Sequence, residues 1–337
     1  MKAIGLSENL PIDDEKSLMD VEIPKPTAKG RDLLVKVVAI AVNPIDTKMR
    51  KNRATVNAPQ ILGWDVAGIV EEVGEACELF KLGDEVFYAG ELNRPGCNSE
   101  YHLVDERIVG NKPKTLDFVQ SAAIPLTGIT AYESLFDRLK VSESPDKNKG
   151  KSILIIGAAG GVGSIAVQLA KNAGLTVIGT ASRPESAEWV KSYGADYTIN
   201  HYEAFKPQLN EIGIQSVEYI LCLNATATHW NNMAETIKPQ GTICSIVDTD
   251  APVNLNLLKP KSVGFIWELM FTRSLFKTED MIRQNHILNE LAGLIDSGKI
   301  KTTVNEILTP INADNLRKAH KSLEEGRTIG KIVLSEF

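Results

Sequence analysis

At 337 residues the chain is long enough for two domains of ordinary size. With 43% apolar and 24% charged residues it has the balance of a globular protein, and a formal net charge of −6 gives no electrostatic reason to expect a nucleic-acid or membrane partner. There is no apolar run of about 18 residues and no signal-like apolar core in MKAIGLSENLPIDDEK, so a cytoplasmic protein is the expectation. The four cysteines (Cys77, Cys97, Cys222 and Cys244) are scattered and form neither a disulfide framework nor a zinc knuckle.

Taken in chain order, the first third is strand-rich. Residues 32–42, DLLVKVVAIAV, predict an apolar strand, and 69–73 and 85–88 predict two more, separated by Gly74 and by Leu82-Gly83-Asp84. Short strands punctuated this way predict a small, irregular β-barrel. A helix is expected around 129–139. From Lys151 the pattern alternates: strand 152–156, helix 162–173, strand 175–180, helix 184–193, strand 217–222, helix 230–238 and strand 241–247. That alternation predicts βαβ units and a doubly wound parallel sheet. A helix over 279–296 and a short apolar strand over 331–334 close the chain.

Residues 153–171, ILIIGAAGGVGSIAVQLAK, carry the strongest signal. Gly157, Gly160 and Gly163 follow a buried strand and open a helix, with Ala159, Gly161 and Val162 between them. The first glycine permits a tight turn, the second lets a pyrophosphate approach the backbone, and the third lets helix and strand pack closely. The helix then presents its N–H groups and positive end to the phosphates. The alternative is a glycine turn with no ligand. The next strand ends Thr180-Ala181-Ser182-Arg183, with no acid to bind a ribose 2′-hydroxyl. Ser182 and Arg183 suit a 2′-phosphate, hence NADPH; otherwise Arg183 is a solvated loop residue.

In order and spacing, Asn43-Pro-Ile-Asp46, Gly63-Trp-Asp-Val-Ala-Gly68, Leu82-Gly-Asp-Glu-Val86, Ala122 to Ala131, Ala159-Gly-Gly-Val-Gly163 and Gly330-Lys-Ile-Val-Leu334 make the chain resemble the medium-chain dehydrogenase/reductase superfamily, in its quinone oxidoreductase branch, often labelled zinc-type alcohol dehydrogenase-like. The resemblance implies a GroES-like barrel domain (1–126 with 278–337) and a Rossmann NADPH-binding domain (127–277), with a small-molecule site in the cleft between them and a homodimer or homotetramer as the assembly. It also implies a nicotinamide contact from Thr130, and places Phe265 and Trp267 near the cleft, where the alternative is apolar core of the last strand or a subunit contact. Asn224, at the C-terminal end of its strand where ligands bind, and Ile246 and Val247, closing the next strand, are further cofactor candidates by position. His201, Tyr202 and Arg327 become further candidates for the 2′-phosphate pocket.

Zinc needs three protein ligands and an open position. The positions that hold ligands in the zinc-dependent relatives fall near Asn43–Asp46, at Trp64 and near Pro125-Leu126, and only Cys97 lies in the region of the structural zinc lobe. No metal is therefore expected, and His102, His201 and His229 are read as surface or strand residues. Without a Lewis acid an unactivated alcohol is hard to oxidise. A quinone or enone accepts hydride at carbon more easily, because conjugation spreads the charge. Asn43 is expected near the substrate oxygen or nicotinamide ribose, Asp46 in an ion pair with Arg50 one helical turn on, and Trp64 either stacking on substrate or filling the space of the missing metal. Many quinone reductases of the branch have a tyrosine where this chain has Lys48. No general acid is evident, and residues 48–60 and 265–276 match no motif. The reading is an NADPH-dependent quinone or enone reductase; the alternatives are a zinc-dependent alcohol dehydrogenase and a weakly catalytic NADPH-binding sensor.

Overall fold

The structure, a computed structural model, describes residues 1–52 and 58–337; residues 53–57, inside the motif-free stretch 48–60, lie outside the described residues. Two compact units emerge, Met1–Ile129 with Phe271–Phe337, and Thr130–Met270.

The first unit begins with β1 (Lys2–Leu6), β2 (Met19–Glu22), β3 (Asp32–Ala41), α1 (Pro44–Asn52), β4 (Gln60–Ile61), β5 (Asp65–Val73), β6 (Glu85–Ala89), β7 (Tyr101–Asp105) and β8 (Val109–Asn111). Two short helices follow, α2 (Phe118–Ala122), opened by an Asp117–Gln120 capping box, and α3 (Pro125–Tyr132). Strand β3 is the longest and most apolar; it pairs antiparallel with β5 and with β7, and is buried at most positions. That is why residues 32–42 read as a nearly unbroken apolar run.

The second unit takes over within α3, which runs without a break past Ile129 and passes into a π-helical turn, Glu133–Arg138. It then alternates β9 (Ser152–Ile156), α4 (Gly161–Asn172), β10 (Thr176–Thr180), α5 (Pro184–Ser192), β11 (Tyr197–Ile199), α6 (Phe205–Glu211), β12 (Val217–Cys222), α7 (Thr226–Thr236), β13 (Ile237–Ser245) and β14 (Gly264–Trp267). The strands lie in the order β11-β10-β9-β12-β13-β14, every pair parallel. This is the Rossmann order, with its reversal between β9 and β12. Strand β9, SILII, is buried along its whole length, as a central parallel strand should be. Leu154, Ile178, Phe205, Trp230 and Ile243 belong to one apolar cluster that joins this sheet to its helices.

The chain returns to the first unit as α8 (Thr272–Phe276), α9 (Arg283–Asp296), β15 (Val304–Leu308), α10 (Ala313–Glu324) and β16 (Lys331–Ser335). Strand β16 pairs antiparallel with β3, Val333 opposite Ala41, completing the sheet β15-β16-β3-β5-β6-β8. The return begins at Phe271 because that ring packs edge-on against Trp64, with centroids 6.2 Å apart.

Several elements start away from the sequence expectation: β5 at Asp65 and not 69, α3 at Pro125 and not near 129, α9 at Arg283 and not 279, and, most informatively, α7 and β13. Helix α7 starts at Thr226, four residues before the expected start, after Ala225 in a left-handed conformation (φ 47°). The polar run ATATHWNN hides that start, since nothing in it has a helical apolar period. Helix α7 then leads directly into β13 at Ile237, with no loop, so that strand also begins early. Among the described residues no helix is long and apolar enough to cross a membrane.

Candidate cofactor site and a buried polar cluster

The glycine turn sits at the C-terminal end of β9, beside the reversal of strand order, where ligands of such sheets bind. Gly157 has φ +83°, which only glycine adopts cheaply. A Cβ on Gly163 would lie 2.5 Å from the Gly157 carbonyl oxygen and 2.6 Å from Ala158, so helix α4 can start this close to the strand only because position 163 has no side chain. Gly160 is the N-cap of α4 and supplies no side chain to cap it. The first-turn N–H groups of Gly161, Val162 and Gly163 thus have no side-chain cap at the positive end of the helix, an arrangement that fits a pyrophosphate. The exposed Asn224 borders the turn: a Cβ on Gly157 would lie 3.5 Å from the Asn224 Cβ.

Ser182 and Arg183 follow the end of β10, and Pro184 opens α5. The Arg183 N–H donates to Ser186 Oγ (3.2 Å), fixing the start of the helix. His201 lies close enough that burial first, and then the Arg183 charge, hold its imidazole below the ordinary value. The structure thus brings Ser182, Arg183 and His201 to one end of the sheet. Tyr202 beside them is 82% exposed. At the ends of β12 and β13, the Thr226 hydroxyl meets Ser245 Oγ (2.7 Å) and donates to the Val247 carbonyl (2.6 Å), tying the loop of Asn224 to that of Ile246 and Val247. Thr130 lies inside α3, buried. Phe265, half-buried, packs against Trp230 (5.2 Å) and Trp267 (5.0 Å). Arg327 belongs to the other unit, exposed in the turn before β16.

In the first unit Asn43 and Asp46 meet in a buried network that leaves out Trp64. Lys331, the first residue of β16, donates through Nζ to Asn43 Oδ1 (2.5 Å), to Asp65 Oδ2 (2.9 Å) and to the Val42 carbonyl (2.9 Å). Asn43 Nδ2 donates to the same Asp65 Oδ2 (2.8 Å), and the Leu126 N–H donates to Asp65 Oδ1 (2.7 Å). Asp46, in the first turn of α1, accepts the Asn43 N–H (2.7 Å) through Oδ2, while its Oδ1 has no partner. Burial raises its carboxyl to about 7, against the opposing pull of the Asn43 N–H and the Lys331 charge. Both polar ends of the Asn43 side chain are engaged inside the protein, which gives Asn43 a structural place that its motif did not reveal. No local pattern in the sequence marks Asp65 or Lys331 as members of such a cluster. The nearest thing to a signal is a lysine opening the otherwise apolar strand KIVL.

The expected Asp46–Arg50 ion pair is absent. Arg50, fully buried, turns instead toward Glu324 of α10 and the Leu10 carbonyl (2.5 Å), because α1 packs against α10 and presents Arg50 there. Trp64 is buried, its Nε1–H donating to the Glu91 carbonyl (2.9 Å) and its ring edge-on to Phe271. Of its two expected roles, this is the one that fills space. His102 does lie on a strand, but inside: its Nε2 bonds the Pro95 carbonyl (3.1 Å) and so carries the proton, leaving Nδ1 to accept from the Tyr88 hydroxyl (2.9 Å). Burial holds it neutral, down to about 4. His229 is neither surface nor strand; it lies on the buried face of α7, stacked on Phe205 (5.6 Å).

A catalytic zinc does not fit these residues. At the three ligand positions stand Asn43, engaged on both sides, the buried indole of Trp64, and Leu126, whose N–H is held by Asp65. Burial raises the Cys97 thiol well above its ordinary value, and its Sγ faces the Asp65 carbonyl at 3.6 Å. Among the described residues no three His, Cys, Asp or Glu side chains come together as metal ligands.

A glycine-turn Rossmann unit joined to a GroES-like unit defines a nicotinamide-type oxidoreductase fold. Residues 29–114 match the alcohol dehydrogenase GroES-like domain and residues 193–334 the zinc-binding dehydrogenase family. The chain belongs to the medium-chain dehydrogenase/reductase superfamily. It is 45% identical over 335 residues to a zinc-type alcohol dehydrogenase-like protein of Staphylococcus aureus, covering 99% of this chain and 100% of that one. It is 31% identical over 327 residues to the chloroplastic NADPH-dependent alkenal/one oxidoreductase of Arabidopsis thaliana, covering 94% and 75%. Among solved structures, the Escherichia coli quinone oxidoreductase complexed with NADPH superposes with a TM-score of 0.84 at 27% identity, covering 99% and 100%.

Proposed function

We propose that this oxidoreductase uses NADPH to transfer hydride to a quinone or an α,β-unsaturated carbonyl, without a metal. The observation that carries the reading is the pairing of the uncapped first turn of α4 with Ser182 and Arg183 at the end of β10, where an NAD site would place an acid. The first-turn N–H groups of α4 would hold the pyrophosphate, and Ser182, Arg183 and His201 the 2′-phosphate. The bound dihydronicotinamide would supply the hydride, which a conjugated carbonyl takes at carbon. Among the described residues no three side chains stand as ligands for a Lewis acid, which favours acceptors that carry their own electrophilic activation. Similarity to an alkenal/one oxidoreductase and to a quinone oxidoreductase supports the same class of acceptor. The reading includes a cytoplasmic location and a homodimer or homotetramer.

The test is to measure Kd for NADPH and NADH and then to follow NADPH absorbance with a panel of quinones and enones, with and without a chelator. Tighter NADPH binding, turnover of at least one conjugated acceptor and no effect of the chelator are expected. Equal affinity for NADH would overturn the cofactor assignment. Tight NADPH binding with every acceptor inert would make the protein a sensor, and loss of turnover on chelation would restore a metal.

A further inference from the structure

The glycine turn and the Ser182–Arg183 loop belong to successive βα segments, and two hydrogen bonds bind one to the other, the second relayed to the N-cap of α4. The Gly157 N–H, at the start of the turn, donates to Thr180 Oγ1 (3.0 Å), the last residue of β10. Trp189, on α5, reaches back and donates through Nε1 to Ser164 Oγ (2.8 Å) in the first turns of α4. Ser164 in turn donates to the Gly160 carbonyl (2.8 Å), the N-cap of the phosphate helix. Between these, Gly179 on β10 lies so close to both neighbours that a Cβ there would come within 2.5 Å of Val190 on α5 and 2.8 Å of Ala158 in the turn. Thr180 and Ser164 are buried, and Trp189 is half-buried against Tyr193 (4.8 Å). The loop carrying Ser182 and Arg183 is thus gripped from both sides, by Thr180 before it and by Trp189 after it.

We infer that Thr180 and Trp189 are positioning residues that set the preference for NADPH, by holding the 2′-phosphate loop in register with the pyrophosphate turn. This rests on the proposed NADPH reading. A ligand that uses two anion sites at once gains from the second only in proportion to how well the two are fixed relative to each other. A ligand that uses the glycine turn alone does not depend on that spacing. Loosening the grip therefore weakens NADPH selectively, although neither side chain need touch it.

The experiment measures Kd for NADPH and NADH with wild type, Trp189→Phe, Thr180→Val, Thr180→Ser and Arg183→Ala, with a thermal melt for each. Trp189→Phe keeps an aromatic ring and removes the Nε1–H donor with the five-membered part of the indole; it is expected to weaken NADPH about five- to tenfold and NADH less than about twofold, the size of effect of one hydrogen bond. Thr180→Val is expected to do the same and Thr180→Ser to restore the wild-type ratio. In the Arg183→Ala background, Trp189→Phe should leave the NADPH-to-NADH ratio where Arg183→Ala put it, since the coupled contact is already gone. Equal weakening of both nucleotides, or a wild-type ratio in both Trp189→Phe and Thr180→Val, overturns the inference while leaving the NADPH reading intact. A wild type without preference, unaffected by Arg183→Ala, overturns the NADPH reading and this inference with it.

Discussion

The glycine turn of the second unit and the Asn43–Asp46–Asp65–Lys331 cluster of the first are built on opposite plans. In the turn, polar groups are left uncapped: the α4 N-cap has no side chain, and glycines keep the backbone open to an approaching ligand. In the cluster, polar groups are turned on one another until little remains unpaired. Asp65 accepts three hydrogen bonds, and Lys331 donates to three oxygens. The difference teaches that matching a family's site motif does not by itself make a residue a ligand contact. Asn43 and Gly163 both lie in such motifs, but the Asn43 side chain is engaged within the protein, whereas the first turn of α4 has no side-chain cap.

The largest expected effect would break the cluster. Lys331→Met leaves the Asp65 carboxylate buried without its cation, so stability should fall by about 3–5 kcal/mol in urea denaturation. The pair Asp65→Asn with Lys331→Met should recover part of that loss. A Lys331→Met protein with unchanged stability but no reductase activity would move the cluster from architecture into chemistry.

The next effect concerns the lone Asp46 oxygen. Burial raises the folded-state value from 3.8 to about 7, so the folded protein holds a proton there that the unfolded chain has lost. The contribution of Asp46 to stability is therefore fully present below about pH 4 and is lost as pH rises through about 7, with a slope of at most about 1.4 kcal/mol per pH unit. Asp46→Asn, neutral throughout, should be less sensitive to pH over that window than wild type when the two are melted in parallel. Identical pH profiles would show that Asp46 is ionised in the folded protein.

The smallest effect should come from the turn, where binding and folding are both touched. Gly163→Ala places a Cβ against the backbone of Gly157 and Ala158. It should weaken NADPH about tenfold, roughly 1.4 kcal/mol, by calorimetry, and lower stability by about 1–3 kcal/mol, because neither backbone contact can yield cheaply. If Gly163→Ala instead unfolds the protein and leaves the affinity of the folded fraction unchanged, the turn is a packing device like the cluster, and the contrast between the two regions disappears.

Much of the fold was legible because the relevant signals are local. Strand β9 is short and wholly apolar, the glycines fall where a turn needs them, and the alternation after Lys151 has the period of βα units. Where the local signal was weak, the sequence misled. Helix α7 opens in a polar run behind the left-handed Ala225 and was placed four residues late. An i,i+4 spacing suggested that Arg50 pairs with Asp46, but spacing along one helix says nothing of what packs beside it, and α10 brings Glu324.

By itself, the sequence determined the glycine turn, the alternation that builds a parallel sheet around it, and the absence of ligand-type residues at Asn43, Trp64 and Leu126, because each depends on residue type at short range. Tertiary structure alone decided that Lys331, nearly three hundred residues from Asn43, would close on it and Asp65, and that Trp189 would reach Ser164. Those pairings depend on which strands and helices become neighbours, and a buried charge or donor takes its partner from whatever the fold places beside it.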